Sequence, residues 1–509
     1  MKESGRDAPP NVQDAPQVPG DYSAFSRRQQ NVIIGLAAFA GWFSSISSFI
    51  YFPAIPVLAA DLGQSVENIN LTVTAYLIVS GIFPAMMGDA ADRFGRRPVF
   101  LVALTVYMGA NIGLATQSTF GLLFFFRMLQ SAGISGTYSV TYGVLGDLFT
   151  PAERGGYSGT ISFFLNTPPS IGPIISGLLL LRWSWRSIFW FLSVATPCCL
   201  IPMALFFPET ARNIVGDGRG AAKSFNRPLI KVLVPGGAMT DSTRDSSREK
   251  PIVKRKFPNP ISSLKLMWFP GTAIILIAYG VNYSTYSCLQ ASLSTLFHDT
   301  YHITGVASGL IYIPFGVACA VSAYATGSLL DRNYHKTATE ISVTIDKSKR
   351  DDLSAFPIEK ARLRVITIFV AVGAALVMGY GWQIQERVNM AGPLVTQFFI
   401  GLTLQTLFTS LNTLLVDIHQ DCPSTAQAAC NFVRCELAAG YLAALDALIR
   451  SLGSGWCFVL LAVIEFMLVP MLLLLQWRGM QWRQARAARR LKPQGSDSDN
   501  QHEALRENV

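Results

Sequence analysis

The feature that most constrains this fold is a repeated series of apolar runs, each as long as a membrane-spanning helix. Half of the 509 residues are hydrophobic and only 14% are charged, whereas soluble proteins contain roughly 25% charged residues. The hydrocarbon core of a bilayer is about 30 Å thick and needs about 20 apolar residues per helix. The sequence therefore predicts an all-α, polytopic membrane protein with twelve transmembrane helices, near residues 32–57, 70–88, 98–116, 120–148, 156–180, 187–207, 267–293, 305–330, 363–382, 392–416, 426–449 and 452–476.

The predicted spans divide into two six-helix halves that are joined by a charged, proline-containing segment. This segment has no strong hydrophobic periodicity, which is typical of a linker. Features of the first half recur in the second, so we expect the halves to be pseudo-symmetric. The predicted regions are an N-terminal tail at 1–31, a first half at 32–207, a linker at 208–266, a second half at 267–476 and a C-terminal tail at 477–509.

Positive charge is concentrated on one side of the predicted membrane. Of the 41 Lys and Arg residues, the loops of the opposite side contain only Arg182, Arg186, Arg387 and Arg450. Because Lys and Arg accumulate in cytoplasmic loops, we expect both termini to be cytoplasmic. The net charge of +9 then reflects topology, and nucleic acid is not an expected partner. The plasma membrane is the expected location, since the C-terminus carries no retention signal.

The sequence contains no pattern that indicates a metal, a cofactor or an enzyme active site. Most of the eight cysteines lie in the spans without metal-ligand spacing, and all five histidines lie outside the spans. No Ser-His-Asp or phosphate-loop arrangement is present. We therefore expect no cofactor, no metal and no enzymatic activity.

The loop between spans two and three carries the charged sequence Gly-Asp-Ala-Ala-Asp-Arg-Phe-Gly-Arg-Arg at 88–97, and a weaker copy follows span eight. The glycines permit a sharp turn, and an aspartate at a helix end can accept hydrogen bonds from the arginines. Acidic residues close spans four and ten in matching positions. We expect a gating network, although a loop that only sets topology is the alternative. Its predicted members are Gly88, Asp92, Arg93, Gly95, Arg96, Asp147, Arg154, Asp331 and Arg332.

Two arginines fall inside predicted spans, where a charge costs at least about 2.5 kcal/mol and usually faces a bundle interior or a watery cavity. Arg127 lies in span four, Arg434 lies near the middle of span eleven, and each could instead form a buried structural ion pair. Gln130 follows Arg127 by three positions, so both side chains can point into one cavity. Glu436 lies roughly 200° around the helix from Arg434. It either titrates as a coupling carboxylate or bonds to a neighbouring helix.

The loop pattern Gly-x-x-x-Asp-Arg-x-Gly-Arg-Arg resembles the signature loop of the major facilitator superfamily of secondary transporters. Arg127, Gln130 and Gly133 in span four resemble a motif of its proton-coupled members, in which the arginine is associated with proton coupling and substrate contact. Segments 48–56 and 431–435 look like those of fungal members related to quinidine-resistance pumps and citrate exporters.

Span five resembles the antiporter signature Gly-x-x-x-Gly-Pro-x-x-Gly-Gly of the twelve-span drug:proton antiporter branch. Pro168 and Ser176 stand where that signature has glycines, so the match is partial, and a kinked helix without an antiport role is the alternative. The residues that carry over are Gly172, Pro173 and Gly177.

The resemblance implies a proton-coupled antiporter that exports a small organic compound, such as an organic acid, a secondary metabolite or a drug, by alternating access. Two mid-membrane arginines with few mid-membrane acids favour an anionic or acid-bearing substrate. A membrane sensor that binds its ligand without transporting it is the alternative. We expect a monomer whose partners are the small-molecule substrate, protons and the lipid bilayer. The predicted substrate- and proton-coupling residues are Arg127, Gln130, Asn282, Tyr286, Asn431, Arg434 and Glu436, with Asp446 and Glu465 as weaker candidates.

Overall fold

The computed structural model shows an all-helical chain over the part that it describes. The described residues are 23–149, 157, 161, 164, 168–216, 218, 226–230, 265–303, 307–341, 356–419 and 423–491. Within them, the regular elements are α-helices and short 3₁₀ turns, among them Phe52–Ala54 and Lys265–Trp268. The prediction of an all-helical fold is confirmed.

The N-terminal part of the chain forms helices of very different lengths. These are α1 (Arg27–Phe49), α2 (Ile55–Asp61), α3 (Val66–Phe94), α4 (Arg96–Thr116), α5 (Phe120–Ile134), α6 (Thr137–Leu148), α7 (Pro168–Arg182), α8 (Arg186–Phe206) and α9 (Arg212–Val215).

The C-terminal part contains the longest helices of the molecule. These are α10 (Pro270–Tyr301), α11 (Ala307–Leu310), α12 (Ile313–Glu340), α13 (Ile358–Leu363), α14 (Ile366–Gln385), α15 (Ala391–Ile418), α16 (Pro423–Phe466) and α17 (Leu468–Leu491). Helix α16 is interrupted at Gly453, whose φ of 79° and ψ of 163° are not helical. Two apolar helices therefore meet at this residue.

Local sequence explains several helix ends. Ser26 begins α1 with a capping box, in which its hydroxyl and the Gln29 side chain each bond to the other residue's backbone N–H. Ser65 caps α3 in a similar way by accepting a hydrogen bond from the backbone N–H of Asn68. Span four is divided between α5 and α6 at Gly136, where an added Cβ would lie within 2.4 Å of the Met87 side chain. Glycine is needed there because α3 passes so closely.

Eight helical segments within the described residues are long and apolar enough to cross a membrane. They are Arg27–Asp61, Val66–Phe94, Arg96–Thr116, Arg186–Phe206, Ala307–Glu340, Ile358–Gln385, Ala391–Ile418 and Ala426–Arg486. The last segment is interrupted by the kink at Gly453, whereas α5 and α6 are individually too short to span. The chain is thus a helical membrane protein, and the number of twelve spans stays a prediction.

Helices from the two ends of the chain pack against each other in the centre of the molecule. Helix α3 contacts α16, and α7 contacts both α11 and α12. The α7–α11 contact is close, because a Cβ added to Gly309 would lie 2.5 Å from the carbonyl oxygen of Pro173 and 3.3 Å from Gly177. Gly172 likewise faces the backbone N–H of Ile50 at the end of α1. The three glycine and proline positions predicted for an antiporter helix therefore lie at tight helix crossings.

Candidate functional site: a central cavity and two charged clusters

A cavity of about 440 Å³ lies between the N-terminal and C-terminal helices. Its walls come from α1, α3 and the α5–α6 region on one side and from α10, α12, α15 and α16 on the other. The volume falls in the range of roughly 300–1,000 Å³ that is usual for small-molecule sites. The lining residues are Ser44, Ser45, Ser48, Phe49, Leu77, Ser80, Ser135, Tyr138, Tyr142, Tyr279, Tyr283, Tyr286, Cys319, Ala323, Gln405, Phe408, Thr409, Asn412, Thr413, Asn431, Arg434 and Cys435.

The cavity is closed on the side of the molecule where α2 ends, which we call the Asp61 side. There the amide of Asn70 in α3 donates a hydrogen bond of 2.6 Å to the Asp446 carboxylate in α16. Glu67 and Arg450 form an ion pair between the same two helices. Contacts between the N-terminal and C-terminal helices therefore seal this side.

The cavity extends towards the opposite side, which we call the Gly95 side. Tyr142 lies six residues before the end of α6, and Thr413 lies five residues before the end of α15. At 1.5 Å per residue, the lining therefore reaches to within about 9 Å of these helix ends. In this conformation the cavity extends from the middle of the molecule towards its Gly95 side.

Arg434 is one of the residues that line the cavity. Its Nε and Nη2 atoms donate hydrogen bonds of 3.1 and 2.8 Å to Oδ1 of Asn431, and its Cζ lies 4.9 Å from the centre of the Tyr283 ring. Asn431 is itself fixed, because its amide donates to the Ser80 carbonyl of α3 at 2.9 Å. No carboxylate in the described part of the chain forms an ion pair with Arg434. A cation is thus held in position at the cavity surface without a neutralising acid.

Arg127 lies in a different environment and is completely buried. Its guanidinium is packed between the rings of Tyr51 and Tyr76, with Cζ at 4.1 and 4.4 Å from their centres. Its Nη1 donates hydrogen bonds to Oε1 of Gln130 at 2.6 Å and to the Ser47 carbonyl at 3.3 Å. Cation–π contacts of this desolvated kind are worth about 2 kcal/mol or more.

The polar contacts of Arg127 continue into α4. The Gln130 amide donates to Oδ1 of Asn111 at 2.7 Å, and the Asn111 amide donates to the Tyr107 carbonyl at 2.8 Å. The Nε and Nη2 atoms of Arg127 have no hydrogen-bond partner, and no described carboxylate forms an ion pair with it. The structural ion pair that the sequence allowed is therefore not seen for either arginine among the described residues.

A thin layer of side chains separates Arg127 from the large cavity. Arg127 lines a second space of about 10 Å³, the size of one water molecule. The residues that line both spaces are Ser48, Phe49, Leu77, Tyr283 and Tyr286. The rings of Phe49 in α1 and Tyr286 in α10 are 5.8 Å apart in an edge-to-face arrangement. This aromatic pair connects α1 with α10 between the large cavity and the small space beside Arg127.

The other predicted coupling residues are dispersed. Asn282 is fully buried and donates a hydrogen bond to the Leu404 carbonyl. One Glu436 oxygen is buried without a hydrogen-bond partner and faces Gly81 in α3. Glu465 is buried and accepts a hydrogen bond of 3.0 Å from Thr285. The structure thus brings Tyr286, Asn431 and Arg434 together in the cavity and places Arg127, Gln130, Asn282 and Glu436 outside it.

The first charged cluster lies on the Gly95 side, at the start of α4. Arg96 forms ion pairs with Asp92 at 2.6 Å and with Asp147 at the end of α6 at 3.0 Å. Arg93 pairs instead with Asp89, at 2.8 Å. The cluster ties the ends of α3, α4 and α6 together. Arg154, a predicted member, lies outside the described residues, and a Cβ added to Gly88 would lie 3.9 Å from the Ser139 side chain, an ordinary van der Waals distance.

Glu209, which follows α8, completes this cluster. Its carboxylate accepts hydrogen bonds from the backbone N–H groups of Arg96, Arg97, Thr210 and Ala211, at 2.8 to 3.3 Å. Burial raises the pKa of the Glu209 carboxyl, and these N–H donors act against that rise. A carboxylate in this position also interacts favourably with the N-terminal end of the α4 dipole.

Gly95 makes the contact with Glu209 possible. Its φ of 111° is unfavourable for any residue with a side chain, and an added Cβ would lie 2.2 Å from Oε2 of Glu209. Glycine is therefore required by both the backbone conformation and the close approach of the carboxylate.

The second charged cluster lies in the C-terminal part of the chain, at the end of α15. Arg362, just before α14, donates to Asp417 at the end of α15 at 2.9 Å. The tail helix α17 reaches the same region, where Arg483 contacts Glu359 at 3.1 Å. Arg332 of the predicted loop copy is exposed, and the Asp331 side chain is outside the described set. Arg362, rather than Arg332, is thus the residue that contacts the acid at the end of α15.

Sequence reasoning missed Glu209 and Arg362 as members of these clusters. Aligning the two parts on the starts of spans three and nine, rather than on the Asp-Arg pairs, places Arg362 opposite Arg97, one position from Arg96. Tyr138 and Tyr142 in the cavity wall were missed as well, although their spacing of four residues puts them on one helix face.

Comparison with known proteins identifies the architecture. The profile of the Major Facilitator Superfamily matches residues 37–443. The chain belongs to this superfamily. A membrane-embedded transporter is the general function that this membership establishes.

Similar proteins include fungal transporters along most of their length. The chain is 36% identical to the MFS-type transporter phiD of a fungus designated Fungal sp., over 96% of this chain and 73% of that protein. It is 32% identical to the multidrug transporter QDR2 of Candida glabrata, over 89% of this chain and 80% of that protein. The crystal structure of the human organic anion transporter MFSD10 shares the fold, with a TM-score of 0.56 and 15% identity, over 87% of this chain and 99% of that one.

Proposed function

We propose that this protein is a proton-coupled efflux antiporter that exports a small organic compound by alternating access. The observation that carries this proposal is the central cavity, which lies between helices from both ends of the chain and is sealed on one side by contacts between them. A site at such an interface becomes accessible from the other side when the two parts rock against each other. The similarity to a multidrug transporter supports export of drugs or metabolites.

The proposed topology has twelve spans in two six-helix halves. The protein lies in the plasma membrane, with both termini in the cytoplasm. The Gly95 side is then cytoplasmic, and the cavity takes up substrate from the cytoplasm. Opening to the outside requires that the Asn70–Asp446 and Glu67–Arg450 contacts break. The ion pairs of Arg96 and Arg362, in contrast, connect helices within one half.

Proton coupling needs a group that gains and loses a proton during the cycle. The described carboxylates within predicted spans eleven and twelve are Glu436, Asp446 and Glu465, and each has one oxygen either unpartnered or held by a neutral donor. We propose that one of them carries the proton, while Arg127 holds α1, α3, α4 and α5 in the arrangement that coupling requires. Arg127 in α5 contacts Ser47 of α1 and Tyr76 of α3, and its partner Gln130 donates a hydrogen bond to Asn111 of α4.

The test is flux in proteoliposomes that contain the purified protein and a panel of fluorescent drugs and aromatic metabolites. Transport that rises when a pH gradient is imposed and falls on addition of a proton uncoupler is expected. Transport that is indifferent to the gradient would remove proton coupling from the proposal. Ligand binding without any flux would support a sensor and overturn the transporter proposal.

A further inference from the structure

The charge of the cavity wall is unbalanced. Among the described lining residues, Arg434 is positively charged and none is an aspartate or glutamate. A cationic ligand would meet the guanidinium without any compensating carboxylate. An anionic ligand would instead form charge-assisted hydrogen bonds, which are roughly twice as strong as neutral ones.

Arg434 is also oriented before a ligand arrives. Asn431 accepts hydrogen bonds from two of its nitrogen atoms, and its Cζ lies over the Tyr283 ring, 4.9 Å from the ring centre. An arginine side chain has five N–H donors, so several remain for a ligand. Guanidinium and carboxylate match each other in a planar, two-point geometry. The group that suits this position is therefore a carboxylate.

Next to Arg434, the C-terminal helices form an aromatic wall. The rings of Tyr279 and Phe408 are 4.9 Å apart, those of Tyr283 and Phe408 are 6.0 Å apart, and those of Tyr283 and Tyr286 are 5.8 Å apart. Each of these four rings lines the cavity. Aromatic rings favour offset-stacked or edge-to-face partners at such distances, with about 0.5–1.5 kcal/mol per pair beyond burial. This wall suits a flat aromatic ligand.

The facing wall, from the N-terminal helices, is rich in small hydroxyl groups. Ser44, Ser45 and Ser48 of α1 line it, together with Ser80 of α3 and Ser135 between α5 and α6. Small side chains leave room for a ligand, and hydroxyl groups can both donate and accept hydrogen bonds. A ligand edge with hydroxyl or carbonyl groups fits this wall.

We propose that the cavity binds hydroxylated aromatic carboxylates. The carboxylate binds to Arg434, the ring lies against Tyr283 and Phe408, and the polar edge faces the serines of α1. The inference rests on the proposed function only in taking this cavity as the substrate site. It names the substrate class and does not depend on how transport is driven.

The test uses four matched probes and the purified protein in lipid nanodiscs. Calorimetry measures the dissociation constant of each probe. The first probe, 6-hydroxy-2-naphthoate, has a ring, a carboxylate and a hydroxyl group. The other probes are its amide, the corresponding naphthylmethylammonium cation, and decalin-2-carboxylate, which keeps the acid without aromaticity. Wild-type protein is expected to bind the naphthoate at least tenfold more tightly than each other probe.

Two variants assign the preferences to residues. Arg434→Gln is expected to abolish the preference for the acid over its amide while the amide still binds. Phe408→Leu is expected to reduce the preference for the naphthoate over the decalin acid. Arg387→Gln, which removes an exposed arginine far from the cavity, is the matched control and is expected to keep both preferences.

The proposal is overturned if the cation or the amide binds as tightly as the naphthoate, or if Arg434→Gln keeps the preference for the acid. A protein that shows these preferences but gives no pH-driven flux would leave the ligand class standing and overturn proton-coupled transport. Flux that is driven by pH but shows no preference among the four probes would overturn the ligand class and leave proton-coupled transport standing.

Discussion

The N-terminal and C-terminal parts of the molecule each contain one arginine inside the membrane, and the two differ in what surrounds them. Arg127 is fully buried between Tyr51 and Tyr76, and its hydrogen bonds within the described residues go to Ser47 and Gln130 of the N-terminal part. Arg434 lies on the cavity surface, where a neighbouring amide holds it. The same charged group thus has two environments: one arginine is enclosed by N-terminal helices, and the other lines the cavity.

The largest effect is expected for Arg127→Ala. The change removes the centre of a network that joins four helices and leaves Gln130 without its charged partner, so transport should fall by at least 100-fold. Flux in proteoliposomes measures this loss. Size-exclusion profiles and surface labelling serve as controls, because a structural role alone would remove the protein from the membrane. Transport within threefold of wild type would contradict a coupling role for Arg127.

Arg434→Gln should have a smaller and more selective effect. Removing the cation leaves the aromatic wall intact, so transport of an aromatic acid should fall by about tenfold, a loss of about 1.4 kcal/mol. Transport of the neutral amide should change by less than twofold. Flux of both probes through the same proteoliposomes gives the ratio, and an equal loss for both would mean that Arg434 is structural.

Gly95→Ala and Gly327→Ala compare the two copies of the loop pattern. Gly95 has a φ of 111° and faces Glu209, whereas nothing lies within 4 Å of a Cβ at Gly327. A side chain in such a backbone region costs about 1–3 kcal/mol. We expect Gly95→Ala to lower the melting temperature by several degrees and to reduce flux. Gly327→Ala should leave both unchanged, and equal effects would show that the local contacts do not govern the outcome.

The smallest effects are expected from Arg362→Ala and Arg332→Ala, which probe the second charged cluster. Arg362 contacts Asp417 in a partly buried ion pair, so its loss should destabilise the protein by about 1 kcal/mol or more. Arg332 is exposed, and its replacement should stay within about 0.5 kcal/mol. Thermal unfolding in detergent separates the two. A larger effect at Arg332 than at Arg362 would support the loop copy predicted from the sequence over the Arg362–Asp417 ion pair of the structure.

The fold was easier to predict from the sequence than the site. The fold follows from local sequence patterns, whereas the site depends on contacts between residues that are far apart in the chain. Apolar runs and the loop pattern are local, and the resulting expectations of a helical membrane protein and of superfamily membership are confirmed. The Glu209 contact joins residues more than a hundred positions apart. No local pattern reports such a contact, since it arises only when α8 and α4 pack together.

The two arginines illustrate the same division. Their depth could be read from the apolar runs, because a charge inside a span is conspicuous. Their surroundings could not be read in this way, because Tyr51 and Tyr76 reach Arg127 from other helices, and the cavity around Arg434 is built by seven elements. The sequence therefore treated as equivalent two residues that the structure distinguishes.

The most direct test of this distinction is pH-driven flux of 6-hydroxy-2-naphthoate and its binding, both measured for wild type, Arg127→Ala and Arg434→Gln. We expect wild type to bind and transport the probe, Arg127→Ala to bind it within about threefold of wild type without transporting it, and Arg434→Gln to lose about tenfold in binding. Arg127→Ala protein that loses binding as strongly as Arg434→Gln, in a form that is still folded, would contradict the separation of the two roles.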